Sequence, residues 1–286
     1  MARSPFSGVR QAAAFAGEHL TALTVAFLFV APIGWTVLSS FKPAREAGLP
    51  PLPPWPTSGV SAENYATLAA FGGGLSQSAS NSIVVAAMTV ALTMIVSLLA
   101  GYGFSRFSFP FKSLCFLLIL ATIMIPFQSI LTPIFLILSR LGLQNTLLGL
   151  ALVYVTLQLP FAIFMMRNSF DAVPKDIEEA ARIDGASNTE LLTMIMLPLV
   201  WPGMVTVALF AFLNSWNEFL GALVLTTDQS KFTLPVMMTS VQSGRFGAVD
   251  WGAVQAGVTV MMAPCLILFL LLQRFYIRGL TAGAVK

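Results

Sequence analysis

Few residues in this chain have side chains able to do chemistry in an apolar setting. Asn214, Asn217 and Glu218 fall at i, i+3 and i+4 within an apolar run. On a helix they would form one polar stripe, and it carries the only carboxylate well inside such a run. Amide and carboxylate groups suit a polyhydroxy solute, and an aromatic ring can stack on its apolar face. Trp216 offers such a ring but points away from the stripe. The same groups serve equally well as an interhelical hydrogen-bond clamp, so two readings stand side by side. Gln128 with Ser129 beside Pro126, and Tyr154 with Gln158 four positions on, make two further polar breaks. Each can line a path, although repair of proline-freed backbone is the expected role. His19 is the only histidine, and Cys115 and Cys265 lie singly in apolar runs. That pattern excludes a disulfide framework, Cys-based metal sites and His-based triads, so no catalytic or metal-binding residue is assigned.

A second cluster is charged. Between Pro174 and Glu190, Lys175, Asp176, Glu178, Glu179, Arg182, Asp184 and Glu190 hold seven of the chain's 15 basic and 12 acidic residues. Pro174 fits a helix start, and Asp176, Glu178 and Glu179 suit the positive end of the helix dipole. Gly185 suits the position just past the helix end. Ser187 and Glu190 have capping-box spacing for a second helix running toward Pro198. The spacing predicts two short helices meeting at a glycine corner. Ala180 and Ala181 give the first helix a face without bulk, rimmed by carboxylates, that another surface can approach closely. Anionic lipid would repel this acidic segment, which favours a protein partner.

The elements that must position these groups follow from composition. The chain has 286 residues, 57% hydrophobic and 9% charged, with a mean hydropathy of +0.83. So few charges do not cover a water-soluble surface of this size, and lipid is the implied solvent. Six stretches are long and apolar enough to span a bilayer, at about 20–41, 83–104, 114–138, 147–166, 203–225 and 254–275. The third is interrupted by Pro126 and Pro133 and is expected to break near Pro126. The first is too long for a signal-peptide core and ends in "WTVLSSFK", so it is read as a retained helix. Lys and Arg counts put ten on the side of the termini and five opposite, which predicts cytoplasmic N- and C-termini. The connection 42–81 is then external. It is proline-rich at first, then carries a short helix capped by Ser61, and composition favours a spacer on the membrane surface. The net charge of +3 gives no footprint for nucleic acid.

These residues carry a resemblance. "EAARIDGASNTELLTMIMLP" resembles the cytoplasmic loop of binding-protein-dependent ABC importer permeases, with Glu179-Ala180-Ala181, Gly185, Ile195 and Leu197-Pro198 at the family's spacings. "ENY" at 63–65, "NSI" at 81–83, "SWNEF" at 215–219 and the C-terminal "GLTAGAVK" are similar to the carbohydrate subclass, in particular the maltose-type second permease subunit. The resemblance implies an all-α polytopic fold, a type I importer permease with six transmembrane helices forming one domain over 1–286. It further implies that Glu179, Ala180, Ala181, Asp184 and Gly185 dock on a cytoplasmic ATPase, within a coupling loop spanning 167–198. A tail including Gly279, Leu280, Gly283 and Lys286 would reach between two ATPase subunits. The implied partners are a second homologous permease, an ATPase dimer and an external sugar-binding protein, around a bacterial inner membrane. Because the chain has no GxxxxGK[ST] loop, ATP and Mg are expected on the ATPase and no cofactor on this chain. The path candidates are Asn214, Trp216, Asn217, Glu218 and Gln128, although in the maltose-type family the sugar site lies mainly in the other permease subunit. The competing class is a self-sufficient secondary transporter or channel. It would require ion-coupling groups, and the chain offers one intramembrane carboxylate and no inverted repeat.

Overall fold

The computed structural model describes residues 7–48, 52–70, 73–243 and 249–284, with side chains described between residues 15 and 272 of those ranges. Among them every regular element is helical. In chain order these are α1 (Ser7–Ser40), α2 (Glu63–Ala69), α3 (Leu75–Arg106), α4 (Lys112–Ala121), α5 (Phe127–Arg140), α6 (Leu147–Asp171), α7 (Lys175–Ile183) and α8 (Asn188–Glu190). A π-helical turn (Leu191–Met196) leads into α9 (Leu197–Asn217), then α10 (Leu220–Leu225), α11 (Leu234–Ser243) and α12 (Trp251–Ala284). Among the described residues, five helices are long and apolar enough to cross a membrane, or six if α4 and α5, which meet at 103°, count as one broken span.

Of the expected spans, the third holds its expected break and the fifth is corrected. The break in the third is a near right angle. Pro126, in extended conformation, caps α5, and the Ser129 N–H takes up its carbonyl at 3.0 Å. The fifth does not run unbroken to residue 225. It stops at Asn217, and Glu218 leaves the helix with φ −71° and ψ 129° before α10 begins. The π turn before α9 has a local cause, since Pro198 supplies no N–H and its ring crowds the preceding turn.

Backbone proximity divides the chain into two compact units, one from residues up to 71 together with 241–262, the other from 72–240 with 263 onward. In the second unit α3, α6 and α9 pack together. Lipid is as apolar as leucine, so such contacts depend on small residues that let backbones close in. A Cβ at Gly101 of α3 would lie 2.5 Å from the Met166 Cβ of α6, and one at Gly203 of α9 would lie 2.1 Å from the Ser169 hydroxyl. The buried residues of α3 include several small polar ones, Ser78, Ser82, Thr89, Thr93 and Ser97. One apolar cluster, around Tyr102, Met166, Phe170 and Met196, lies toward α7. The other, around Val85, Leu150, Tyr154 and Leu225, lies toward α10. Asn81 of the "NSI" segment donates to the carbonyls of Ser230 and Phe232 at 2.8 and 2.9 Å, anchoring the connection between α10 and α11.

In the first unit the connection after α1 is folded, where composition favoured a spacer. Buried Asn64 donates to the carbonyls of Ser40 and Lys42 at 2.9 and 2.7 Å. The Glu46 carboxylate accepts from the backbone N–H groups of Thr57 and Ser58 at 2.9 and 2.8 Å. The N-cap of α2 is Ala62 rather than the expected Ser61, whose hydroxyl accepts from the Glu63 N–H at 3.1 Å from one position earlier.

Candidate functional site

The charged segment folds as two capped helices around a corner. After α7, the Gly185 N–H donates to the Arg182 carbonyl at 3.1 Å and the Ala186 N–H to the Ala181 carbonyl at 3.0 Å. This pair of bonds is the Schellman closure, which needs a left-handed residue between its partners. Gly185 provides it at φ +88°, and no atom crowds its missing Cβ, so backbone conformation alone demands the glycine. Ser187 and Glu190 form the reciprocal capping box, with Ser187 N–H to Glu190 at 2.9 Å and Glu190 N–H to Ser187 at 3.3 Å.

The two sides of α7 have different tasks. Ala181, expected on the docking face, is instead 7% exposed and packs with Tyr102, Phe170, Leu191 and Met196. Its small size seats α7 against its own bundle. The outward side carries Glu179, Ala180, Asp184 and Ile183, the last 85% exposed. Sequence reading missed what fixes the inner side. The Arg106 side chain is buried, and its Nε donates to the buried Glu178 carboxylate. Its other nitrogens donate to the Val173 carbonyl at 2.8 Å and the Ser105 hydroxyl at 3.0 Å, and Ser105 donates to Asp171 at 2.5 Å. The last residue of α3 is thereby tied to both ends of the turn that launches α7.

The polar residues of the bundle converge as pairs between α6 and α9. Tyr154 donates to Glu218, and one turn away Asn214 donates to Gln158 at 2.7 Å. The Glu218 carboxylate also accepts from the N–H groups of Gly221 and Ala222, at 2.8 and 3.2 Å. It therefore closes the break before α10 and ties it to α6, which is the interhelical clamp among the two readings of the stripe; the helix break itself was not expected. Asn217, placed on the same stripe, is exposed and donates back to the Leu213 carbonyl at 2.8 Å. Trp216 is buried and stacks on Phe212 at 5.5 Å. Gln128 is exposed in the first turn of α5.

A cavity of about 260 Å³ opens between α3, α6 and α9, lined by Thr89, Tyr154, Gln158, Asn214, Ser215 and Glu218. A second, about 430 Å³, shares Leu157, Gln158 and Asn214 with it and adds the rings of Phe127, Phe161 and Phe210. Of the path candidates only Asn214 and Glu218 line these cavities; Trp216, Asn217 and Gln128 do not. Tyr154 and Gln158, expected to repair backbone, and Thr89, unremarked in the sequence, complete them. The signal for Thr89 was present, since Thr89, Thr93, Ser97 and Gly101 recur every four residues. Gly279, Leu280 and Gly283 lie on the helical backbone of α12, and Lys286 lies outside the described residues. Among the described residues no cluster of His, Cys, Asp and Glu could hold a metal ion.

Comparison with known proteins supplies the context of this geometry. The family described as "Binding-protein-dependent transport system inner membrane component" matches residues 93–281. A diacetylchitobiose uptake system permease protein of Streptomyces coelicolor is 33% identical over 100% of this chain and 93% of its own length. A sulfoquinovosyl glycerol transport system permease protein of Agrobacterium fabrum is 34% identical over 95% of both chains. A trehalose/maltose transport system permease protein of Thermococcus litoralis is 38% identical over 72% of this chain and 74% of its own. A chain in the crystal structure of a bacterial ABC transporter involved in alginate import shares the fold, with a TM-score of 0.78 and 21% identity over 96% of this chain and 99% of that one.

Proposed function

We propose, from the premise that this chain belongs to the inner-membrane components of binding-protein-dependent transport systems, that it forms half of the pathway of an ATP-driven importer for a carbohydrate or related solute. Its relatives' substrates, diacetylchitobiose, trehalose or maltose, and sulfoquinovosyl glycerol, are all rich in hydroxyl groups. In this reading the chain performs no covalent chemistry. A cytoplasmic ATPase pair holds ATP and Mg, a second related permease completes the pathway, and an external binding protein delivers the solute. Both termini are cytoplasmic, and the helix end at Gly279, Leu280 and Gly283 with the tail to Lys286 faces the ATPase pair.

The observation that carries the reading is the two-sided α7. Its outer side presents Glu179, Ala180, Ile183 and Asp184, an apolar strip with an acidic rim suited to a groove with basic edges. Its inner side is fixed to α3 by the Arg106–Glu178 pair and to the core by Ala181. A push on the outer side would be passed to α3 and, through the capped corner at Gly185, to α9. This is coupling by rigid elements between two arrangements of a bundle.

The test is uptake by cells or proteoliposomes carrying Glu179→Lys or Gly185→Val, with radiolabelled trehalose, maltose and diacetylchitobiose. Transport is expected to be lost while the chain still inserts in the membrane. Normal uptake by both variants would sink the coupling assignment.

A further inference from the structure

Glu218 draws attention as an ionisable group in a membrane bundle, yet its oxygens are taken up by Tyr154, Gly221 and Ala222. The free hydrogen-bonding capacity lies beside it. Thr89 lines the smaller cavity, is 1% exposed, and its buried hydroxyl has no hydrogen-bond partner. A buried hydroxyl left unpaired is costly and calls for an explanation. The Asn214–Gln158 bond uses one donor and one acceptor of the pair, leaving the Asn214 carbonyl and the Gln158 amide N–H groups at the boundary of both cavities. A donor, an acceptor and a hydroxyl that is both thus surround one space. Vicinal hydroxyls of a sugar ring, each donor and acceptor at once, complement such a set.

The adjoining cavity supplies the other half of sugar recognition. Phe161 and Phe210 meet edge to face at 5.0 Å, and Phe127 lines the same space. Aromatic rings present apolar faces against which the C–H face of a pyranose can lie. The larger cavity, about 430 Å³, lies in the lower part of the roughly 300–1,000 Å³ usual for small-molecule sites, and the smaller, about 260 Å³, just below it.

We propose that these adjoining cavities form a transit subsite for one neutral sugar ring within this subunit, with Thr89, Gln158 and Asn214 bonding its hydroxyls and Phe161 and Phe210 bounding its apolar face. The proposal rests on the importer reading above. It assigns Glu218 and Tyr154 to positioning, holding the α9–α10 break and the cavity wall in place.

The experiment uses the complete transporter in proteoliposomes and measures sugar carried per ATP hydrolysed with the three disaccharides named above. Thr89→Val keeps nearly the same volume and breaks no bond within the protein, so a purely structural site would not register it. The subsite predicts a drop of about fivefold or more, equivalent to one lost hydrogen bond, and a larger drop for Asn214→Leu. Unchanged ratios in both variants would overturn the subsite. A loss confined to Asn214→Leu would assign the amide pair to helix clamping and overturn it too. Absence of ATP-dependent uptake by the unaltered transporter would overturn the importer reading, and the subsite with it.

Discussion

Replacing Glu178 by Gln tests how firmly α7 is tied to α3. The Glu178 and Arg106 side chains are 10% and 7% exposed, and the guanidinium has neutral partners in Val173 and Ser105. A glutamine amide in place of the carboxylate would keep the shape and remove the charge, leaving a buried guanidinium with neutral acceptors only. Breaking a buried pair by removing one partner costs about 3–5 kcal/mol. The surviving bonds to Val173 and Ser105 place this variant near the lower figure. A loss of about 3 kcal/mol in the local opening of α7 multiplies its open population by roughly a hundredfold. Amide hydrogen exchange across residues 175–186 of the purified transporter reads that population directly. The double variant Arg106→Met with Glu178→Met replaces the pair by apolar groups of similar length, and most of the protection is expected to return. Exchange raised less than about threefold by Glu178→Gln, or a double variant as unprotected as the sum of both single changes, would refute the reasoning.

Three further outcomes follow from local geometry. Gly101→Val would force α3 from α6 at a point where a Cβ already meets Met166 at 2.5 Å, so a lower melting temperature and a marked loss of uptake are expected. Ser187→Ala removes one half of the capping box and should cost about 1 kcal/mol of local stability, read as faster exchange at residues 188–191. Glu46 is held down to about 2 from its ordinary 4.5, first by the Ser58 hydroxyl and then by the Thr57 N–H. Its folded pKa is depressed, so its support of the loop is complete above the unfolded value and is lost as pH falls from about 4.5 toward 2. Limited proteolysis within residues 52–62 should accelerate over that window, and Glu46→Gln should remove the pH dependence.

What could be read from the sequence was what neighbouring residues decide. Pro174, Gly185, Ser187 and Glu190 dictate the α7 corner through bonds spanning a few residues, and the structure contains that corner as expected. The break at Pro126 belongs to the same class. The break at Glu218 does not, because its partner Tyr154 lies 64 residues earlier, and spacing along one helix could not disclose it. The Arg106–Glu178 pair was out of reach for the same reason, its partners lying 72 residues apart. Ala181 was misplaced because a small residue reads alike whether it admits a partner or seats a helix in its own core. Thr89 was overlooked because a threonine in an apolar helix commonly bonds the preceding turn, so the four-residue recurrence with Thr93 and Ser97 reads as packing, and only the structure shows that its hydroxyl makes no such bond.

The most direct test of the central claim is reconstitution of this chain in proteoliposomes in two forms, alone and with its partner permease, ATPase pair and binding protein. Uptake of a labelled disaccharide is then followed with and without ATP. The account predicts uptake only by the complete assembly with ATP, and its loss with Gly185→Val. Uptake by the isolated chain, or ATP-driven uptake that is indifferent to Gly185, would contradict it.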